Sequence, residues 1–132
     1  MILVDSNIWI DLIQNDSEWV DWSLRQVQIA RASNTVCVNS VIYAELAPNY
    51  DNAADLDRLL KSANAAFEPI SEAAAYLAGR AFLRYRAGLG KKLGVLPDFF
   101  IGAQAQVNGW TILTRDRGRY KTYFPTVKLI CP

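Results

Sequence analysis

Ile2-Leu3-Val4-Asp5-Ser6-Asn7 is the stretch on which the reading of this chain turns. A short unbroken apolar run that opens an alternating strand–helix pattern reads as a buried central strand. The pattern predicts a strand over 2–5 and a short helix over 7–14. In open α/β sheets, ligands sit beyond the carboxyl ends of the parallel strands. Asp5 is expected there, with Ser6 or Asn7 capping the helix that follows. Taken alone, Asp5 reads first as a turn or cap residue. The positions of the other acids change that balance.

Working outward, Asn15-Asp16-Ser17 breaks the first helix and a second is predicted over 18–32, with Val20, Leu24, Val27 and Ala30 inward. Thr35-Val36-Cys37-Val38 is a β-branched strand. Asn39 or Ser40 then caps a helix carrying Glu45, which Pro48-Asn49 stops. A helix over about 51–63 turns Leu56, Leu59 and Leu60 inward. Residues 67–70 form a short strand that Pro69 assigns to a sheet edge. Ser71 caps a long helix over 72–87, and the glycine- and lysine-containing stretch 87–94 is expected to be a mobile loop. Pro97-Asp98 opens a helix through Asn108 that Gly109 closes. A strand over 110–114, a loop or short helix over 115–120 and a strand over 126–130 complete the chain. Strands alternating with helices predict an α/β fold with a mainly parallel sheet covered on both faces. The 132 residues fit one domain, 1–132.

Composition narrows the chemistry. The chain has no histidine, which excludes serine–histidine and cysteine–histidine catalysis and histidine-ligated zinc. Net charge is +1, so any nucleic-acid surface must be local. Cys37 and Cys131 are far apart without CxxC spacing, and a reduced thiol is expected. No signal peptide and no membrane-length apolar run is visible, so a soluble cytoplasmic protein is expected.

Four acids have unusual neighbours. Asp5 ends the first strand, and Glu45 lies among Ile42, Ala44 and Leu46. Asp98 precedes Phe99-Phe100-Ile101, and Asp116 follows Ile112-Leu113-Thr114. Singly, Asp98 is a first-turn acid that complements a helix dipole, and Asp116 a turn residue or a partner of Arg115 or Arg119. Jointly, several like charges at one sheet edge call for a cation. Mg²⁺ or Mn²⁺ suits oxygen ligands of this kind, and such ions can activate water at a phosphodiester. Asp11, Asp16, Asp21, Asp55 and Asp57 read as surface charge.

The ordered set Ile2–Asn7, Tyr43-Ala44-Glu45-Leu46, Leu96-Pro97-Asp98-Phe99-Phe100-Ile101-Gly102-Ala103 and Leu113-Thr114-Arg115-Asp116 resembles the PIN-domain ribonucleases. Tyr120-Lys121-Thr122-Tyr123-Phe124-Pro125 further resembles the VapC-type toxins of bacterial toxin–antitoxin pairs. The resemblance runs over nearly the whole chain. It implies a three-layer α/β/α sandwich and Mg²⁺- or Mn²⁺-dependent endoribonuclease activity, with metal and catalytic carboxylates at Asp5, Glu45, Asp98 and Asp116. It implies that Thr114 or Ser6, with Asn7 beside them, orients those carboxylates. It also implies an antitoxin partner and a homodimer. The chain departs from many relatives at Gln104, where they carry a histidine; that position is read here as a non-ligand.

For an RNA substrate, Arg115, Arg117, Arg119 and Lys121 flank Asp116, with Tyr120 and Tyr123 interleaved. Arg80, Arg84, Arg86, Lys91 and Lys92 form a second basic group that reads equally well as a solvated face. Trp9 is expected in the core, and Trp19 and Trp22 at a groove accepting a partner helix. Two other functions compete. A phosphohydrolase with Asp5 as nucleophile would want a second acid where Asn7 stands. A non-catalytic receiver-like or RNA-binding module would want paired acids near Asp5 and a strand-end lysine.

Overall fold

The computed structural model describes residues 1–88, 90–91 and 96–132. Among them five short strands form one sheet: β1 (Ile2–Val4), β2 (Val36–Val38), β3 (Ala66–Phe67), β4 (Thr111–Leu113) and β5 (Leu129–Ile130). The order is β3-β2-β1-β4-β5 and every pair is parallel. β1 is central, with Ile2 in register with Val36 on one side and Thr111 on the other. Successive strand side chains point to opposite faces, yet Ile2, Leu3, Val4, Val36, Cys37 and Val38 are all buried. Both faces of the sheet are therefore covered, giving the α/β/α layering expected of the sequence. The two border strands, β3 and β5, are two residues each.

Seven α-helices join these strands among the described residues: α1 (Ser6–Ile13), α2 (Val20–Ser33), α3 (Ser40–Leu46), α4 (Ala53–Ser62), α5 (Glu72–Ala87), α6 (Pro97–Asn108) and α7 (Gly118–Tyr123). A 3₁₀ turn, Ala47–Asn49, follows α3 where Pro48 prevents the α-helix from continuing. α6 is buried at Phe99, Ile101, Gly102, Ala103, Gln104 and Ala105, so it is a core helix rather than an amphipathic one. Pro97 opens it, and Gly109 closes it in the left-handed conformation at φ 68°. A Cβ at Gly102 would overlap the Phe124 ring; the bare backbone there lets the end of α7 seat on α6.

Some expectations shift. The first strand stops at Val4, and Asp5 is itself the cap of α1, its carboxylate accepting from the Ser6 N–H. Asn39, not Ser40, caps α3 by accepting from the Ile42 N–H. Leu24, expected inward, is 44% exposed, because α2 turns Ser23, Val27 and Ala30 to the core instead. The cause is polar: the Ser23 hydroxyl donates to Asp11 across the α1–α2 packing at 2.6 Å. The loop expected over 87–94 lies partly outside the described residues, as Leu89, Lys92, Leu93 and Gly94 belong to the undescribed ones.

Candidate active site

The chain runs outward from β1 through β2 to β3, then crosses back to β4 and β5. Strand order therefore reverses between β1 and β4. In sheets of this kind the crevice at that reversal, beyond the carboxyl ends, is where ligands bind. Asp5 leaves β1 there and Thr114 leaves β4 beside it.

Asp5 is 4% exposed and saturated with donors. Its Oδ1 accepts from the Ser6 backbone N–H at 2.8 Å and the Ser6 hydroxyl at 3.4 Å. Its Oδ2 accepts from the Thr114 hydroxyl and the Tyr120 phenol, each at 2.8 Å, and from Asn7 Nδ2 at 3.5 Å. Thr114 is itself held: Asn7 Nδ2 donates to its oxygen at 3.1 Å, and the Asp116 N–H at 3.0 Å. Asn7 Oδ1 accepts from the Arg115 N–H, which closes the frame between α1 and the end of β4.

Glu45 approaches from α3. The Ser6 hydroxyl donates to its Oε1 at 3.1 Å and so sits between the Asp5 and Glu45 carboxylates. Asp98, in the first turn of α6, accepts from Arg119 Nη1 at 3.1 Å. The Arg119 guanidinium also lies over the Tyr85 and Phe99 rings, 5.6 and 5.8 Å from their centroids. Burial pushes the Asp5 carboxyl up; the Thr114 and Tyr120 hydrogen bonds oppose this, and the Asp98 charge adds to it. Partial desolvation of its carboxyl raises Glu45 too, although the residue as a whole is exposed, against the Ser6 hydrogen bond and with help from the Asp5 and Asp98 charges. Burial raises the buried Tyr120 phenol well above its ordinary value, and the charges of Asp5, Asp98 and Glu45 reinforce that. The phenol is thus a permanent donor to Asp5.

Asp5, Glu45 and Asp98 therefore share one electrostatic neighbourhood. Asp116 stands apart at the rim, just before the N-cap Arg117 of α7, where its exposed carboxylate accepts from the Gly118 N–H at 3.0 Å. Among the described residues, no group of three or more acidic, cysteine or histidine side chains is close enough to hold one ion. The donor chemistry nonetheless fits a hard divalent cation. Buried Asp5, part-exposed Asp98 and exposed Glu45 offer only oxygen ligands, and the Asp98 charge burdens Asp5 while the Asp5 and Asp98 charges burden Glu45.

Several residues hold roles that the sequence did not disclose. Asp11, read as surface charge, is 1% exposed and forms a two-pronged ion pair with Arg115, at 2.8 and 2.9 Å. Arg115 also lies 5.1 Å from the centroid of the Trp19 ring, and Trp19 meets Trp22 edge-on. An acid flanked by Ile10 and Leu12 within a helix carries the same signal that singles out Glu45. Arg117 and Lys121 are exposed, as expected of phosphate contacts, whereas the Arg115 charge is committed to Asp11. Gln104 is completely buried, and its hydrogen bonds go to none of Asp5, Glu45, Asp98 and Asp116. Its Oε1 accepts from Asn39 Nδ2 at 2.8 Å, and its Nε2 donates to the Glu68 and Pro69 carbonyls.

The sequence of residues 2–125 matches the family model described as the PIN domain. The chain belongs to the PIN domain family. PIN domains are nucleases that generally work with divalent metal ions. No curated protein sequence matches the chain. Among solved structures, this PIN domain is similar to VapBC2 from Rickettsia felis bound to a DNA fragment from their promoter. That match has 17% identity, covers 100% of this chain and 99% of that one, and has a TM-score of 0.74. It is similar also to VapBC-1 from nontypeable Haemophilus influenzae, at 18% identity, 99% and 98% coverage and a TM-score of 0.70. FitAcB from Neisseria gonorrhoeae matches at 19% identity, 98% and 96% coverage and a TM-score of 0.67. At these identities the likeness is one of fold, and it agrees with the PIN-like architecture anticipated from the sequence.

Proposed function

We propose that this PIN domain is a metal-dependent endoribonuclease and the toxin of a toxin–antitoxin pair. The observation that carries the reading is the placement of Asp5 at the strand-order reversal, with the Asp98 charge acting on it and Glu45 joined to it through the Ser6 hydroxyl. Asp5, Glu45 and Asp98, with Asp116 from the rim, are the residues that would hold Mg²⁺ or Mn²⁺. Such an ion supplies an activated water and stabilises the leaving oxygen of a phosphodiester. Thr114, Ser6 and Asn7 fix the direction of Asp5, and Tyr120 joins them. Arg117 and Lys121, exposed on α7 and its cap, meet the RNA backbone; Arg119 neutralises Asp98 until a cation does.

The similarity in fold to VapBC complexes supports an antitoxin partner, and we extend the reading to a homodimer working in the cytoplasm. No helix of the described residues is long and apolar enough to cross a membrane. An Asp5 nucleophile is disfavoured, since Asn7 stands where such a phosphohydrolase would want a second acid. The decisive experiment expresses the chain in a bacterium with and without the small protein encoded beside it. Growth arrest and new RNA ends are expected from the wild type alone, and both should vanish in Asp98→Asn. Undiminished cleavage by Asp98→Asn and by Asp5→Asn would remove the reading.

A further inference from the structure

Arg115 stands between Thr114 and Asp116 of the site, yet its guanidinium is paired with Asp11 of α1. The backbone leaves the sheet at this point. The Thr114 N–H still reaches the Ile130 carbonyl of β5, but the Arg115 N–H goes to Asn7 Oδ1 at 3.1 Å and the Asp116 N–H to the Thr114 hydroxyl at 3.0 Å. Side chains rather than a strand ladder hold this piece of chain. Two of the holds come from one face of α1, since Asn7 and Asp11 are four residues apart and lie one above the other. Asn7 takes the backbone of Arg115. Asp11 takes its side chain, with Nε donating to Oδ2 at 2.8 Å and Nη2 to Oδ1 at 2.9 Å. A two-pronged pair fixes direction as well as distance. Ser23 of α2 donates to Asp11 Oδ2 at 2.6 Å, and the Trp19 ring lies 5.1 Å from the guanidinium carbon.

We propose that Asp11 is a positioning residue of the active site: through the Arg115 fork it holds the chain at the end of β4 so that Thr114 keeps Asp5 aimed for a cation. The inference rests on the metal-dependent reading of the site and brings into it an acid outside the four candidate carboxylates. Asp11 is 1% exposed, and a pair buried on one side is a weak source of net stability, because desolvation offsets much of the attraction. What the pair supplies is geometry. The chain that it fixes carries the Thr114 hydroxyl, which reaches Asp5 Oδ2 at 2.8 Å and is itself tied to Asn7 at 3.1 Å. Loosening the fork frees the Arg115 peptide, and with it the hydroxyl that sets the Asp5 carboxylate. Asp11 acts through Arg115 and Thr114, not by contact with ion or substrate.

The test separates position from stability. Asp11→Asn keeps the size of the side chain and removes the charge that draws the fork. Asp11→Asn combined with Arg115→Ala removes the pair without stranding a charge. Leu60→Ala, a cavity in the buried face of α4, is the control for stability alone. All are compared at a temperature where each is fully folded. In metal-free buffer, hydrogen exchange read by NMR should show the Arg115 and Asp116 amides opening faster in both Asp11 variants, because their holds are local. Leu60→Ala should leave those two amides at the wild-type rate despite its lower melting temperature. In calorimetric titrations, Mn²⁺ affinity should fall about tenfold in both Asp11 variants, the low end of the range for a lost outer-shell partner, and hold in Leu60→Ala. The double variant should melt above Arg115→Ala without regaining ion affinity, which a purely structural tie would restore. Unchanged Mn²⁺ affinity in both Asp11 variants overturns the proposal, even if their amides open faster, and so does an equal loss in Leu60→Ala. Mn²⁺ bound by the wild type with RNA left intact would defeat the nuclease reading and leave this one standing. A wild type that takes up no Mn²⁺ would defeat both.

Discussion

Asp5 and Gln104 are both buried polar residues, and their surroundings send them to opposite ends of usefulness. Gln104 is spent on architecture, since every polar atom of its amide is engaged by Asn39, Glu68 or Pro69. Gln104→Ala would leave a buried amide donor and two carbonyls without partners, and at the usual cost per orphaned group should destabilise the chain by about 3 kcal/mol. Urea melts would register the loss, and cleavage per folded molecule should be unchanged, because the side chain bonds none of the four candidate carboxylates. Asp5 and Glu45 are held in the folded chain above their ordinary values, chiefly by burial. The folded state then keeps protons that the unfolded chain has released, so stability falls as pH climbs from the unfolded value through the folded one. Glu45→Gln removes that penalty on one group. In chelator it should melt slightly above wild type at pH 7.5, a small gap because Glu45 is exposed and solvent screens its charge, and the gap should close toward pH 4. Equal melting at both pH values would show that the Glu45 carboxyl carries no such burden.

At the scale of elements, the site is assembled by ties between helices and strand ends rather than by the strands themselves. Asp11 and Ser23 join α1 to α2, and Arg115 adds the end of β4 to the same knot. Asp11 is almost wholly inaccessible while Arg115 is part-exposed. Arg115→Ala would therefore strand a buried charge, for which about 3 kcal/mol is the expected loss. Asp11→Asn in the same chain should recover part of it, which thermal or urea unfolding of the single and double variants would reveal. A double variant no more stable than Arg115→Ala would place the cost elsewhere. The tie also explains why α2 shows Leu24 to solvent: a polar anchor at Ser23 fixed its rotation against the apolar pattern.

For the molecule as a whole, the sequence disclosed the layered α/β plan because each element carries its own punctuation. The span of α5 after Ser71, and α6 between Pro97 and Gly109, follow from caps and breakers that act locally. Asp5 at a strand end was legible for the same reason. Long-range polar partnerships were not: Tyr120 with Asp5 and Arg115 with Asp11 are separated by more than a hundred residues, and nothing in local spacing announces them. Tyr120 therefore reads from the sequence as a stacking aromatic, although it is buried beneath the site with its phenol bonded to Asp5. One consequence concerns company. The sheet's outer strands, two residues apiece, expose too few backbone amides and carbonyls for a foreign strand to zip onto. A second protein that joins this one is therefore expected to hold it through side chains of its helices and loops, and side-chain shape should count for more than shared backbone pairing.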